Sequence, residues 1–216
     1  GTGNIAIGYE AMGGTAGTQE GHGVAIGYRA MFEVTDGSSG TAIGSNAFQY
    51  LVGGYSTALG YYAGHYASGS NNTFVGSKAG QGGTTSAPFS SGEGNVAVGY
   101  QALDAFTTGD NNVAIGRQAG TSHTTPAWSI YIGYQAGQYV TTGAQNVLIG
   151  GQAGNTIVTG ERNVAVGAAA LQKGLGSENV AIGDNAGAHA TGSQSVYIGR
   201  KAGLGGQQTA PFSSGE

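Results

Sequence analysis

Apolar residues recur along this chain at fixed positions around a repeated glycine, not in a helical rhythm. An Ile, Leu or Val stands directly before each of Gly8, Gly27, Gly44, Gly60, Gly76, Gly99, Gly116, Gly133, Gly150, Gly167, Gly183 and Gly199. Three residues after each of these glycines comes an alanine, from Ala11 to Ala202. The intervals between glycines are 19, 17, 16, 16, 23, 17, 17, 17, 17, 16 and 16 residues. Self-similarity of this kind marks a stacked array, not a globular core.

Positions within a coil are counted from its glycine, at 0. Position −3 is Ile, Val or Thr in every coil, and −1 is always aliphatic. Alternation along a strand puts these two on one face, and β-branched residues favour that pleated surface. Each coil therefore predicts a short strand whose greasy face is −3 and −1. Position −2 is Ala in eight coils and Phe74, Tyr131, Leu148 or Tyr197 in the others, so the opposite face is apolar too. A strand buried on both faces needs a second cover. The expectation is three chains around one axis with the −2 alanines turned towards it. The alternative is a single solenoid in which Ala is tolerated on a shallow inner turn.

Position −4 is Asn in seven coils and Ser in three (Ser56, Ser129, Ser195), which predicts a stacked amide ladder. The invariant glycine predicts positive φ or close backbone contact, and the alanine at +3 a tight interior corner. Glycine at −7 in ten coils reads as a turn. Val34, Tyr50, Tyr66, Phe89, Phe106, Val140 and Ile157, at −10, predict a second short strand on the same core. The fold expectation is all-β: a parallel β-solenoid of twelve coils with a period of 16–17 residues, homotrimeric. At ~4.8 Å per coil it spans roughly 55 Å, with stability coming from nearest-neighbour interfaces.

Composition narrows the class. Glycine numbers 45 of 216 residues without recurring every third position, which excludes collagen. The net charge is −4 and the seven Lys and Arg are scattered, which leaves no nucleic-acid footprint. There is no cysteine, hence no disulfide framework or thiolate metal site. No apolar run approaches the ~18 residues that span a bilayer, so no membrane contact is expected within this segment. Residues 77–93 reappear at 200–216. The expected organisation is one continuous array over 1–216, a window of a longer fibre, with an inserted loop at 81–94 whose second copy starts at 204–216.

Asn112-Val113-Ala114-Ile115-Gly116-Arg117-Gln118-Ala119 resembles the repeat in the heads of YadA-like trimeric autotransporter adhesins. Asn95-Val96-Ala97-Val98-Gly99-Tyr100-Gln101-Ala102-Leu103 is similar to the arrays of phage tail-fibre-like and bacterial surface proteins. The resemblance covers all twelve coils. It implies a homotrimeric, left-handed parallel β-roll outside the cell, used for attachment. The longer period and the missing Ser after Asn depart from the adhesin motif and put its collagen binding in doubt.

Candidate chemistry is sparse. His22, His65, His123 and His189 form no metal spacing; His123 and His189 share −10, a slot filled elsewhere by Val or Phe. Asp36, Asp104, Asp110 and Asp184 sit beside turns without a repeated pairing. No catalytic, cofactor-binding or metal-ligating residue is predicted, and no cofactor. Ile-Gly-x-x-Ala-x matches the hexapeptide of left-handed β-helix acyltransferases, but those need three hexads per coil and here there is one. An ice-binding solenoid wants a flat Thr ladder, and the Thr pairs here are patchy. Tyr9, Tyr28, Tyr61, Tyr100 and Tyr134, at +1, are expected to stack along the fibre. The 81–94 loop is the candidate lateral projection, the alternative being a plain insertion whose Phe89 still fills the core, and Trp128 is expected in a local packing patch, with a contact point as the alternative. The function expected is a non-enzymatic, extracellular fibre that binds itself and attaches to a glycan or protein receptor. A purely structural filament is the alternative, and an acyltransferase the remote one.

Overall fold

A computed structural model of the chain describes residues 3–14, 22–34, 39–83 and 89–204. Residues 205–216, 84–88, Glu20 and Asp36, which carry parts of the expectations above, lie outside the described residues. Twelve three-residue strands form one parallel sheet. They are β1 (Ile5–Ile7), β2 (Val24–Ile26), β3 (Thr41–Ile43), β4 (Thr57–Leu59), β5 (Thr73–Val75), β6 (Val96–Val98), β7 (Val113–Ile115), β8 (Ile130–Ile132), β9 (Val147–Ile149), β10 (Val164–Val166), β11 (Val180–Ile182) and β12 (Val196–Ile198). Each pairs only with its sequence neighbours, and −3, −2 and −1 of one strand stand opposite −3, −2 and −1 of the next. The fold is an all-β solenoid.

The two faces of the sheet are assigned the other way round from the sequence expectation. Position −2 points into the coil's own core: from Ala25 to Ala181 these side chains are buried, and so are Phe74, Tyr131 and Leu148. Positions −3 and −1 point outward, half-buried or exposed, as at Ile115 and Ile182. The physical reason is space. The coil closes within 16 or 17 residues, and the +3 alanine comes back opposite the strand, buried in every coil from Ala30 to Ala186. Between these two walls each coil has room for at most one large residue, from −2 or from +4, and in eight coils −2 is Ala. The argument for an axis lined by −2 alanines therefore fails.

The second strand is also absent among the described residues; only a Ala67–Ser90 bridge forms there. Val34, Phe106, Val140 and Ile157 do fill the core from −10. In the coils of β4, β5 and β6 the phase slips by one. Leu51, Ala67 and Ser90 are buried, while Tyr50, Tyr66 and Phe89 are half-buried and stack on one another.

The turns are bonded between coils as thoroughly as the strands are. The N–H at +2 donates to the +1 carbonyl of the preceding coil, as Gln118 does to Tyr100 at 2.8 Å. The N–H at +4 donates forward to the next +3 carbonyl, as Leu103 does to Ala119 at 3.0 Å. Both positions need left-handed backbone to aim these groups, and Gln118 (φ 58) and Leu103 (φ 48) adopt it. At position 0, φ lies between 117 and 140 in all twelve coils. A Cβ there, from Gly8 to Gly183, would also strike the next coil's backbone. Only glycine meets both conditions.

The core is filled by a relay between strand and turn. In five coils −2 is Ala and +4 is large: Ala6 with Met12, Ala25 with Met31, Ala42 with Phe48, Ala97 with Leu103 and Ala165 with Leu171. In four coils the sizes swap: Phe74 with Gly80, Tyr131 with Gly137, Leu148 with Gly154 and Tyr197 with Gly203. In the remaining three both are small: Ala58 with Gly64, Ala114 with Gly120 and Ala181 with Gly187. Each of these lies between a large +4 and a large −2. A methyl group on Gly64 would overlap Phe48 and Phe74, on Gly120 Leu103 and Tyr131, and on Gly187 Leu171 and Tyr197. A coil too small to fill itself is thus filled by both neighbours.

The amide ladder at −4 is present and buried. The backbone N–H of Asn163 donates to Asn146 Oδ1 at 2.9 Å, and Asn179 N–H donates to Asn163 Oδ1 at 3.0 Å. Each amide group also donates to a −7 carbonyl, as Asn146 Nδ2 does to Gly160 at 2.7 Å and Asn163 Nδ2 to Gly176 at 3.1 Å. Ser129 carries the ladder with its hydroxyl, accepting from Asn146 N–H at 3.2 Å. Where −4 is Gly23 or Gly40, the thioether tip of Met12 or Met31 occupies the space.

Two expected outcomes follow for unfolding by urea, read by far-UV circular dichroism. Asn146→Ala leaves the Gly143 and Gly160 carbonyls and the Asn163 N–H, in two adjacent coils, without their side-chain partner and lowers stability by about 1–3 kcal/mol, whereas Asn146→Ser loses less because the hydroxyl continues the ladder. Phe74→Ala costs about 3–5 kcal/mol. Gly80→Ala, whose methyl would overlap the Phe74 ring, costs less in the Phe74→Ala background than alone, with a coupling of about 1–3 kcal/mol. Additive losses would refute the relay.

Candidate interaction surface

The outward columns form a continuous ribbon. Its 24 positions, −3 and −1 of twelve coils, hold 21 Ile, Leu or Val residues and three threonines, with no charge. At strand and coil spacings it measures roughly 7 Å by 55 Å. Ile115 is 39% exposed and Ile182 42%, values far from those of a covered core.

Two columns flank the ribbon. On one side, +1 carries the exposed tyrosines Tyr9, Tyr28, Tyr61, Tyr100 and Tyr134. Tyr9 and Tyr28, in adjacent coils, stack at 5.5 Å; the other three are separated by coils bearing Ser77 or Arg117. On the other side, −5 adopts left-handed backbone in eight coils with side chains, from Tyr55 (φ 58) to Gln194 (φ 58). Its N–H groups bond the preceding coil's −6 carbonyl, as Trp128 does to Asp110 at 3.1 Å. Trp128 is 64% exposed, not part of a packing patch.

Polar side chains run between coils. Gln118, Gln135 and Gln152 each donate to the glutamine one coil earlier, at 3.2–3.4 Å. The ion pairs do the same: Arg29 with Glu10 at 2.6 Å, Arg162 with Glu178 at 2.7 Å and Arg200 with Asp184 at 3.4 Å. Exposed pairs of this kind add little stability. Asp104 accepts from Gln101 and Asp110 from the Glu93 N–H.

The histidines are scattered. His22 is exposed and His189 half-buried. His65 is buried beside Tyr50, Tyr62 and Tyr66, with Nε2 2.9 Å from Gln49 Oε1. Burial lowers its pKa to about 4. His123 fills the −10 core slot: Nε2 lies 3.0 Å from the Pro126 carbonyl and Nδ1 3.0 Å from the Tyr131 hydroxyl. A carbonyl only accepts, so Nε2 carries the proton and Nδ1 accepts from Tyr131. Burial pushes its pKa down to about 4 and raises the Tyr131 phenol. Among the described residues no three His, Asp or Glu gather as a metal site, and no helix is long and apolar enough to cross a membrane.

The alanine-lined interior leaves the outer ribbon and its flanks as the surface that can meet a partner. Sequence reasoning missed it by placing the aliphatic pair inside. The left-handed column at −5 and the glutamine ladder at +2 were also missed, although each is a repeated phase in the chain. Comparison with protein-family models, with curated proteins and with solved structures finds no match.

The histidine geometry sets a pH dependence. Between pH 6.5 and about 4 the unfolded chain binds a proton at residue 123 that the folded chain refuses. Stability is therefore full above this window and falls as the pH drops through it, by on the order of 3 kcal/mol. His123→Val, which places there the residue found at Val140, removes this share of the fall and leaves the share of His65, whose pKa burial also lowers to about 4. An unchanged slope in urea titrations across this range would contradict the assignment.

Proposed function

We propose that this chain is the shaft or head of an extracellular attachment fibre, in which three copies form a homotrimeric left-handed β-roll. The observation that carries this reading is the charge-free aliphatic ribbon. Contiguous exposed apolar patches of several hundred Å² are uncommon on monomers and mark association surfaces. Here the copies pack ribbon to ribbon, with the Tyr and −5 columns at the rim, and the −2 alanines remain inside each chain.

The rest of the molecule suits a fibre. Each coil bonds the next through strand, turns, amide ladder and core, so length is added without a new interface. The reading is non-enzymatic: His65 and His123 are enclosed by packed side chains, which leaves a general base nothing to reach.

The test is the mass of the folded protein by light scattering at micromolar concentration. The wild type is expected at three times the chain mass. Ile115→Glu and Ile182→Glu, on the ribbon, are expected to dissociate it while retaining the β circular dichroism spectrum. A folded, monomeric wild type would sink the trimer; a trimer indifferent to both substitutions would move the interface elsewhere.

A further inference from the structure

The array departs from its own pattern three times at one point, and the departures touch. In the coil of β8, −7 is Pro126 where ten coils have Gly, −10 is the buried His123, a residue type found there otherwise only as the half-buried His189, and −2 is Tyr131 where eight coils have Ala. The Tyr131 hydroxyl donates to His123 Nδ1, and His123 Nε2 donates to the Pro126 carbonyl, each at 3.0 Å. Asn112 Nδ2 donates to the same carbonyl at 2.9 Å. Two buried side chains thus clamp the backbone two residues before Trp128.

What this clamp displays is the chain's only tryptophan. Its indole is 64% exposed and its backbone is left-handed at φ 56. On either side the ladder ties it down, Trp128 N–H to Asp110 at 3.1 Å and Gln145 N–H to Ala127 at 3.2 Å. Among the described residues it stacks on no other ring. One coil to each side along the column stand the exposed amides of Asn111 and Gln145, about 4.8 Å away per coil. The acid next to Asn111 is engaged elsewhere, since Asp110 Oδ1 accepts from the Glu93 N–H at 2.8 Å.

We propose that Trp128, Asn111 and Gln145 form a carbohydrate-binding platform for a neutral glycan. A pyranose ring has an apolar C–H face and a rim of hydroxyls. The indole covers the first, gaining from the loss of exposed apolar surface on both partners. Amides both donate and accept, which matches hydroxyls of either role. All three side chains are neutral, and the cation beside them, Arg162, is held by Gln145 Oε1 at 3.3 Å and by Glu178 at 2.7 Å, which favours an uncharged sugar over an acidic one. Pre-organisation by the clamp lowers the ordering cost of binding, so His123 is a positioning residue. The platform deepens the attachment reading by naming its ligand class and rests on that reading for its purpose, but its chemistry needs only one chain.

The experiment titrates the purified protein with cellohexaose, N-acetylchitohexaose, maltohexaose and mannohexaose. Binding is read by Trp128 emission, acrylamide quenching and calorimetry, with mass measured in parallel by light scattering. The expected result is a saturable change in emission with at least one sugar, and protection of the indole from acrylamide when it binds. Trp128→Ala is expected to weaken binding about ten-fold or more, and Asn111→Ala or Gln145→Ala a few-fold. His123→Val is expected to weaken it with the fold intact, while Tyr55→Ala, an exposed aromatic four coils away, changes nothing. No saturation with any of the four sugars, binding indifferent to Trp128→Ala, or an indole already shielded in the free protein would each overturn the platform. A monomer that binds sugar overturns only the trimer; a trimer that binds none overturns only the platform.

Discussion

In-register stacking is the constraint on which everything else in this molecule depends. Every coil must offer the next one the same hydrogen-bonding groups at the same height, in the corners as well as in the strand. The chain meets this by fixing backbone conformation by phase and letting side chains vary. Lys78, Gln101 and Ala169 share one left-handed corner; Trp128, Arg162 and Glu178 share another. Left-handed backbone costs an L-residue about 1–2 kcal/mol, and the inter-coil bond that it aims offsets that cost. Glycine is indispensable only where φ passes beyond the left-handed region and the next backbone lies against it.

A stack held this way has a thin interior, and the thinness dictates the rest of the packing. Strand and returning corner face each other across one layer of side chains, so between them each coil has room for at most one large residue, supplied from −2 or from +4, beside whatever enters from −10. Filling a small coil from its two neighbours ties three coils into one packing unit. The buried amide ladder does the same for polar groups, since Asn146 answers to coils on both sides. Stability is therefore a property of consecutive coils, and a single deletion in the core is felt beyond its own layer.

The same thinness expels the aliphatic pair. With alanine sufficient inside, Val and Ile at −3 and −1 have no place but the outer face, where they line up along the whole array. An apolar outer ribbon, rimmed by tyrosine on one side and by rigid left-handed positions on the other, is the consequence. The ribbon carries no charge, and Arg29–Glu10, Arg162–Glu178 and Arg200–Asp184 pair between adjacent coils beside it. The apolar ribbon and the exposed tryptophan occupy neighbouring columns without sharing side chains.

The period, the twelve strands, the need for glycine at 0, the tight corner at +3 and the Asn ladder were all legible in the chain, because each is a local requirement repeated at one phase. The relay between −2 and +4 was also written there, but it pairs residues of different coils and reads as noise within any one. Which face of the strand lies inside was not legible: both faces are apolar, and alternation is blind to sign. The phase slip that turns Tyr50, Tyr66 and Phe89 outward and Leu51 inward was hidden for the same reason. Those choices were decided only by how the coil closes, which turns −2 towards the returning corner and leaves −3 and −1 outside. Local periodicity determined that this chain stacks; the width of the space it encloses determined which side chains are left to meet the outside.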